Sequence, residues 1–287
     1  MRDLVTGPLR TGRVVAALGV AVYLQLDPVD GGTATRPGVD VVALLDRDAV
    51  RVPIGVVMAT PLPSPRPAVG APAAVGEGGL RVPGLEVRVT RWWRSDPPRA
   101  RPVPCGHAGV GGAPGHRPCV PDAWLPPDVA PAAAALRSAL HRGAPPGPPA
   151  QALLGLGPGL TPAGDDVLAG ALVALDHHGD PRGAQLAATV VPLLHRTTTV
   201  SAALLRQAVL GRAVPQLAAF VAALTCAPGA GVHGPGAHLC GAAGVQQDVL
   251  RRLLAVGSTS GACLAFGALA VPPPVGPPGP ARPVEVW

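Results

Sequence analysis

The stretch LGLGPGLTPAGDDVLAGALVAL, Leu154 to Leu175, decides how the chain is read. Its first half is a loop. Gly155, Gly157, Gly159 and Gly164 permit positive φ and close backbone approach, and Pro158 and Pro162 stiffen the path between them. Its second half is a run of helix formers whose charges, Asp165 and Asp166, stand at the start, where a helix dipole favours carboxylates. Such a junction can receive a small anion, because the first amides of a helix have no partner inside it. Asp165 and Asp166 are the candidate functional groups here, able to cap the helix, hold a hydrated Mg²⁺ or accept hydrogen bonds from an amide or amine, and Gly157, Gly159 and Gly164 line the junction. Helix capping by one or both carboxylates is the plainer alternative. The segment lacks the GKS/T ending of a P-loop and does not keep GxGxxG spacing after a strong strand.

Working outward, helical patterning surrounds this stretch. AAAALRSALHR follows Pro131, and Arg182–Arg196, Thr199–Arg212, Pro215–Leu224, Gly244–Val256 and Gly261–Val271 carry apolar residues at helical spacing. Gly179, Gly211 and Gly257 sit where helix C-caps are expected. Toward the N-terminus the period changes. Val14–Leu26, Val39–Leu45 and Val50–Met58 read as β runs, and Leu80–Trp92 as one more strand with Leu85, Val87 and Val89 on one face. The expected fold class is α+β, a β-rich N-terminal part followed by an α-helical C-terminal part. The expected domains are 1–130, with a flexible Pro-rich insertion at about 95–121, and 131–271, followed by a disordered Pro-rich tail at 272–287.

Composition sharpens this division. Glycine and proline each number 38 in 287 residues, which borders on low complexity, yet 48% of the chain is apolar and only 14% is charged. The prolines are segregated: 27 of the 38 lie in 61–149 and 272–287, so the remainder has the density of an ordinary globular fold. All 23 basic residues are arginine, and the net charge is +6. The arginines form no dense run and do not alternate with the four tryptophans, so no nucleic-acid partner is expected. No stretch reads as a transmembrane helix. Arg10 and Arg13 before VVAALGVAV imitate a signal peptide, but no small-residue cleavage site follows, and a cytoplasmic location is expected.

Two further hydroxyl-rich segments stand at helix starts. GSTSG, Gly257 to Gly261, offers Ser258, Ser260 and the Gly261 amide as anion contacts, and Thr197–Ser201 offers Thr198 and Ser201. An N-cap box is the plain reading of each. Taken in order, GLGPGLTPAGDDVLAG (155–170), TTTVSAALLRQAVLG (197–211) and LLAVGSTSGACLAFGAL (253–269) resemble the hallmark segments of the bacterial domain-of-unknown-function family 2877. That family includes the AllH-type subunit of oxamate carbamoyltransferase. The resemblance covers Gln151–Val271, while the strands of 12–58 match only loosely. It implies carbamoyl-group transfer on a small amide acid such as oxamate, in ureide and purine nitrogen catabolism, with FdrA-type and AllG-type partner subunits. It also implies a small anionic substrate such as carbamoyl phosphate, with Gly157, Gly159, Ser258 and Ser260 as the phosphate cradle and Thr161, Asp165 and Asp166 as the catalytic groups. In that reading Thr161 and the amides around Gly164 face the developing oxyanion, and Asp165 or Asp166 orients the accepting amide. The alternative is a non-catalytic partner subunit or a metabolite-binding protein. The long insertions around 95–121 and 226–243 depart from the family pattern.

No Ser–His–Asp or Cys–His arrangement emerges from spacing. Two cysteine–histidine groups, Cys105/His107/His116/Cys119 and Cys226/His233/His238/Cys240, have the ligand types of zinc but match no standard structural spacing, and no metal site is assigned to them. Mg²⁺ at Asp165 and Asp166 is the one cofactor considered. Cys263 reads as a small core residue.

Overall fold

A computed structural model describes residues 2–28, 40–93, 95, 118–225 and 242–273. The chain opens with a short helix α1 (Arg2–Thr6) and seven strands: β1 (Arg10–Ala17), β2 (Ala21–Leu26), β3 (Val41–Leu45), β4 (Gly55–Val57), β5 (Pro72–Gly76), β6 (Gly79–Val82) and β7 (Leu85–Arg88). They form one sheet in the order β4-β3-β2-β1-β5-β6-β7, antiparallel throughout except for the parallel pair β3/β4. Eight helices follow among the described residues: α2 (Ala130–Arg142), α3 (Gly147–Leu153), α4 (Ala163–His178), α5 (Arg182–Val190), α6 (Thr199–Val209), α7 (Pro215–Thr225), α8 (Ala242–Leu254) and α9 (Ser260–Leu269). The class is α+β, as the change of period along the sequence predicts.

The chain divides into two compact units, Met1–Ser95 with Thr198–Gln207, and Asp96–Thr197 with Ala208–Trp287. In the sheet unit, Val14, Val22, Leu24, Leu26, Val42, Leu44, Val75 and Leu80 alternate along their strands and build one core with Val5 of α1. All five residues of β3 are buried. A strand with no solvent face needs cover on both sides. The segment of α6 within this unit supplies part of it: Ala203, Arg206 and Gln207 line a small cleft with Leu4, Asp40, Val41 and Ile54. Asp40 is also ion-paired to Arg10 at 2.6 Å.

Two expected strands prove to be hairpins. Val14–Leu26 is broken at Leu18–Val20, where the Leu18 amide donates to the Ala21 carbonyl at 2.7 Å. The break escaped the sequence pattern because its tip is apolar, with Leu18 and Val20 exposed at 45% and 55%. Leu80–Trp92 turns at Pro83-Gly84, with Gly84 at φ 75°, and becomes β6 and β7. Of the Val50–Met58 run only Gly55–Val57 pairs. Helices α1 and α3 and strand β5 have no counterpart in the sequence reading. The insertion at 95–121 and the tail at 272–287 lie almost wholly outside the described residues.

In the helical unit, α4 and α9 lie side by side with almost every residue buried. Their contact is a backbone contact. A Cβ on Gly170 would stand 2.1 Å from the Leu264 carbonyl oxygen, and one on Gly267 would stand 2.0 Å from that of Val167. Glycine at both positions is what lets two helices approach this closely. Arg137 of α2 braces the unit's edge: its guanidinium stacks 4.9 Å over the Phe266 ring and forks onto the Asp122 carboxylate at 3.0 and 3.1 Å. Gly179 ends α4 in the left-handed conformation, and Gly211 and Gly257 also have positive φ at helix ends.

Candidate functional site

The loop Leu154–Pro162 enters α4 through three glycines of positive φ, Gly155 (75°), Gly157 (109°) and Gly159 (95°). Two of these curl against other backbone. A Cβ at Gly155 would stand 2.5 Å from the Arg196 carbonyl oxygen, and one at Gly157 would stand 3.0 Å from the Ala163 nitrogen. Gly159 faces open space and is exposed, and Thr161 is half-buried beside it. The loop is therefore a closed curl with an open tip.

The first amides of α4 do turn back toward this loop, but they end on protein carbonyls. Gly164 donates to Leu156 at 2.9 Å, and Asp165 and Asp166 donate to Pro162 at 2.9 and 3.2 Å. At the second motif the Gly261 amide donates to Val256 at 2.9 Å. Gly164 and Gly261 serve close packing as well: a Cβ on either would lie 2.1 Å from a carbonyl oxygen, that of Leu153 or Leu253. Neither carboxylate caps α4 through the usual side-chain bond. Pro162 occupies the N-cap position, without a side-chain hydrogen bond.

Asp165 and Asp166 are adjacent in sequence and differ in surroundings. Asp165, 1% exposed, is a brace: Oδ1 accepts the Gly155 amide at 2.7 Å and Oδ2 accepts the Thr197 hydroxyl. It thus ties the start of the loop to the end of the 3₁₀ turn Val191–Arg196. Thr197 belongs to the hydroxyl cluster named from the sequence but not to its site residues. Its role needs knowledge of a contact across 32 positions. Asp166 faces α9 instead. The Ser260 hydroxyl hydrogen-bonds its carboxyl, while Oδ2 is buried without a hydrogen-bond partner among the described residues. Burial pushes the Asp166 pKa up to about 7; the Ser260 hydroxyl opposes the shift and the Asp165 charge adds to it. Cys263, three positions after Ser260, lies near enough to feel the same charge, and burial together with Asp166 pushes its thiol up to about 12.

The first and third motifs therefore meet. Asp165, Asp166, Thr161, Gly157, Gly159, Gly164, Ser258, Ser260 and Gly261 all belong to the helical unit, and the Asp166–Ser260 bond joins the two segments. Ser258 is exposed on the turn before α9. Thr198 and Ser201 fall in the sheet unit, at the start of α6, where the Thr198 hydroxyl oxygen accepts the Ser201 amide at 3.0 Å in the manner of an N-cap.

The Asp165–Asp166 pair does not fit Mg²⁺ well. That ion requires an octahedral shell rich in oxygen, whereas both Asp165 oxygens accept protein donors and the Asp166 carboxyl is buried against the apolar helix α9. Among the described residues no group of three or more His, Cys, Asp or Glu side chains converges as a metal site. Cys119 is exposed and Cys263 buried, both as free thiols; the other members of the two cysteine–histidine groups lie outside the described residues. No described helix is long and apolar enough to cross a membrane.

Neither the curated proteins nor the solved structures give a match to the chain. Residues 153–271, which hold all three motifs and run from the end of α3 through α9, match the family model described as oxamate carbamoyltransferase subunit AllH.

Proposed function

We propose that the chain is a subunit of an enzyme transferring a carbamoyl group, with a small amide acid such as oxamate as acceptor and carbamoyl phosphate as donor. FdrA-type and AllG-type proteins are the partner subunits this reading names, and ureide and purine nitrogen catabolism is its setting. The observation that carries it is the Asp166–Ser260 contact, which joins the first and third motifs, both inside the segment that matches the family model. A buried carboxyl with an unpartnered oxygen is costly, and such groups concentrate where chemistry needs them. Around it, the open tip at Gly159, Thr161 and the exposed Ser258 supply backbone and hydroxyl groups for a small anion.

A second reading, a partner subunit without catalysis of its own, draws on a different observation. The amides of Gly164, Asp165, Asp166 and Gly261 are all donated to protein carbonyls, which removes them as donors to an anion. Thermal-shift measurements on the purified full chain separate the two. Stabilisation by carbamoyl phosphate or oxamate that is lost in Asp166→Asn supports the substrate site. No shift with either compound, in a protein that still assembles with its partners, supports the non-catalytic subunit.

A further inference from the structure

Two nucleophilic side chains neighbour Asp166 on α9, and the helix treats them oppositely. Cys263 is fully buried, and its raised pKa keeps it a thiol, which is an inert form. Ser260 stands one turn earlier, on the same helical face and only half-buried. Its hydroxyl hydrogen-bonds the Asp166 carboxyl, and the glycine three residues before it, Gly257, is exposed. A half-buried residue is thus hydrogen-bonded to a buried carboxyl.

That carboxyl has the character of a base. It is nine-tenths buried, and among the described residues no arginine or histidine shifts it and its Oδ2 meets no donor. Desolvation without a compensating cation favours proton uptake, so the group can accept a proton from a neighbouring hydroxyl near neutral pH. An activated nucleophile needs a hydroxyl and a base in hydrogen-bonding contact.

We propose that Asp166 and Ser260 form a base–nucleophile pair in which Ser260 Oγ accepts a carbamoyl-class acyl group from an activated donor. With carbamoyl phosphate, the Ser260 hydroxyl proton passes to the Asp166 carboxylate and a bond forms between Oγ and the carbonyl carbon. The bond from that carbon to the phosphate oxygen breaks, and phosphate leaves with its electron pair. In the second half an amide nitrogen or water attacks the carbamoyl carbon. Oγ then leaves and regains its proton from Asp166, while the attacking atom loses its own proton to solvent. The choice of carbamoyl donor rests on the function proposed above; the pairing of Asp166 with Ser260 does not.

The test is acid-quenched labelling of the full chain by carbamoyl phosphate and, separately, by 4-nitrophenyl acetate, with the modified peptide identified by mass spectrometry. Both reagents are expected to modify Ser260, with a rate that rises through about pH 7 and falls by about a hundredfold or more in Asp166→Asn. Modification of Ser260 by the nitrophenyl ester alone keeps the pair and removes carbamoyl phosphate as the donor. Oxamate carbamoylation in the assembled enzyme that is unchanged in Ser260→Ala keeps the proposed function and overturns the nucleophile. Absence of label at Ser260 with both reagents also overturns it. A wild-type rate that is flat across neutral pH overturns Asp166 as the base, without recourse to any variant.

Discussion

The two aspartates at the head of α4 show how much a one-residue step matters on a helix. Asp165 points back at the loop and is held by an amide and a hydroxyl; Asp166 hydrogen-bonds Ser260 of α9, and its Oδ2 has no partner among the described residues. For Asp166 the unfolded chain releases its proton near 3.8 and the folded chain near 7. Between these values the folded state binds more protons, so stability is greatest at the acid end, falls as pH rises through this window and levels off above it. Asp166→Asn removes this dependence. Urea denaturation at pH 5 and pH 8 is expected to shift in the variant's favour, relative to wild type, by a few kcal/mol between the two conditions. Parallel pH profiles for the two proteins would refute the buried, uncompensated carboxyl. Thr197→Val has a different signature: it strips a donor from buried Asp165 and should cost about 1–3 kcal/mol. Measured by thermal unfolding, a loss well below that would mean the brace contributes little. The sequence made both aspartates visible, because charge at the start of an apolar helix stands out. It did not separate their roles, which depend on Gly155, Thr197 and Ser260 arriving from distant parts of the chain.

Among the elements, α4 and α9 carry the candidate site, and glycines set the distance between them. Gly170→Ala and Gly267→Ala each put a methyl group about two ångströms from a carbonyl oxygen of the opposite helix. Alanine gains up to about 1 kcal/mol in helix propensity over glycine. The clash outweighs this, because two backbones rather than a flexible side chain must yield, and a net loss of at least about 1–3 kcal/mol is expected in either variant. Equilibrium unfolding checks it; a stabilised variant would show that the helices are not in backbone contact. The helical half was legible because apolar residues recur at helical spacing between glycine stops, and α4, α6, α7, α8 and α9 start or end close to the expected positions. The sheet was less so. The hairpin tip at Leu18–Val20 is as apolar as the strands it joins, so periodicity alone reads through it. Strand β5 lies among prolines and presents the short, small-residue sequence PAAVG. Its pairing with β1 and β6, not its composition, makes it a strand.

At the scale of the whole molecule, compactness does not follow sequence order. The sheet unit takes in Thr198–Gln207 from the middle of the helical segment, and that piece of α6 lies by β3, all five of whose residues are buried. A fragment ending at Ser95 lacks this cover. It is expected to bind a hydrophobic dye and unfold without a cooperative transition, whereas a fully cooperative fragment would show α6 to be dispensable. Proline abundance also takes its meaning here: 11 of the 38 prolines fall outside 61–149 and 272–287, and residues 153–271, the segment that matches the family model, lie outside both ranges. The central claim, carbamoyl transfer by an assembly containing this chain, is tested most directly by reconstitution. Purified chain is combined with FdrA-type and AllG-type proteins, and formation of carbamoylated oxamate from carbamoyl phosphate is measured with wild type and with Asp166→Asn. The account predicts product that depends on this chain and falls by about a hundredfold or more in the variant. Product formed at the same rate when the chain is left out would contradict it.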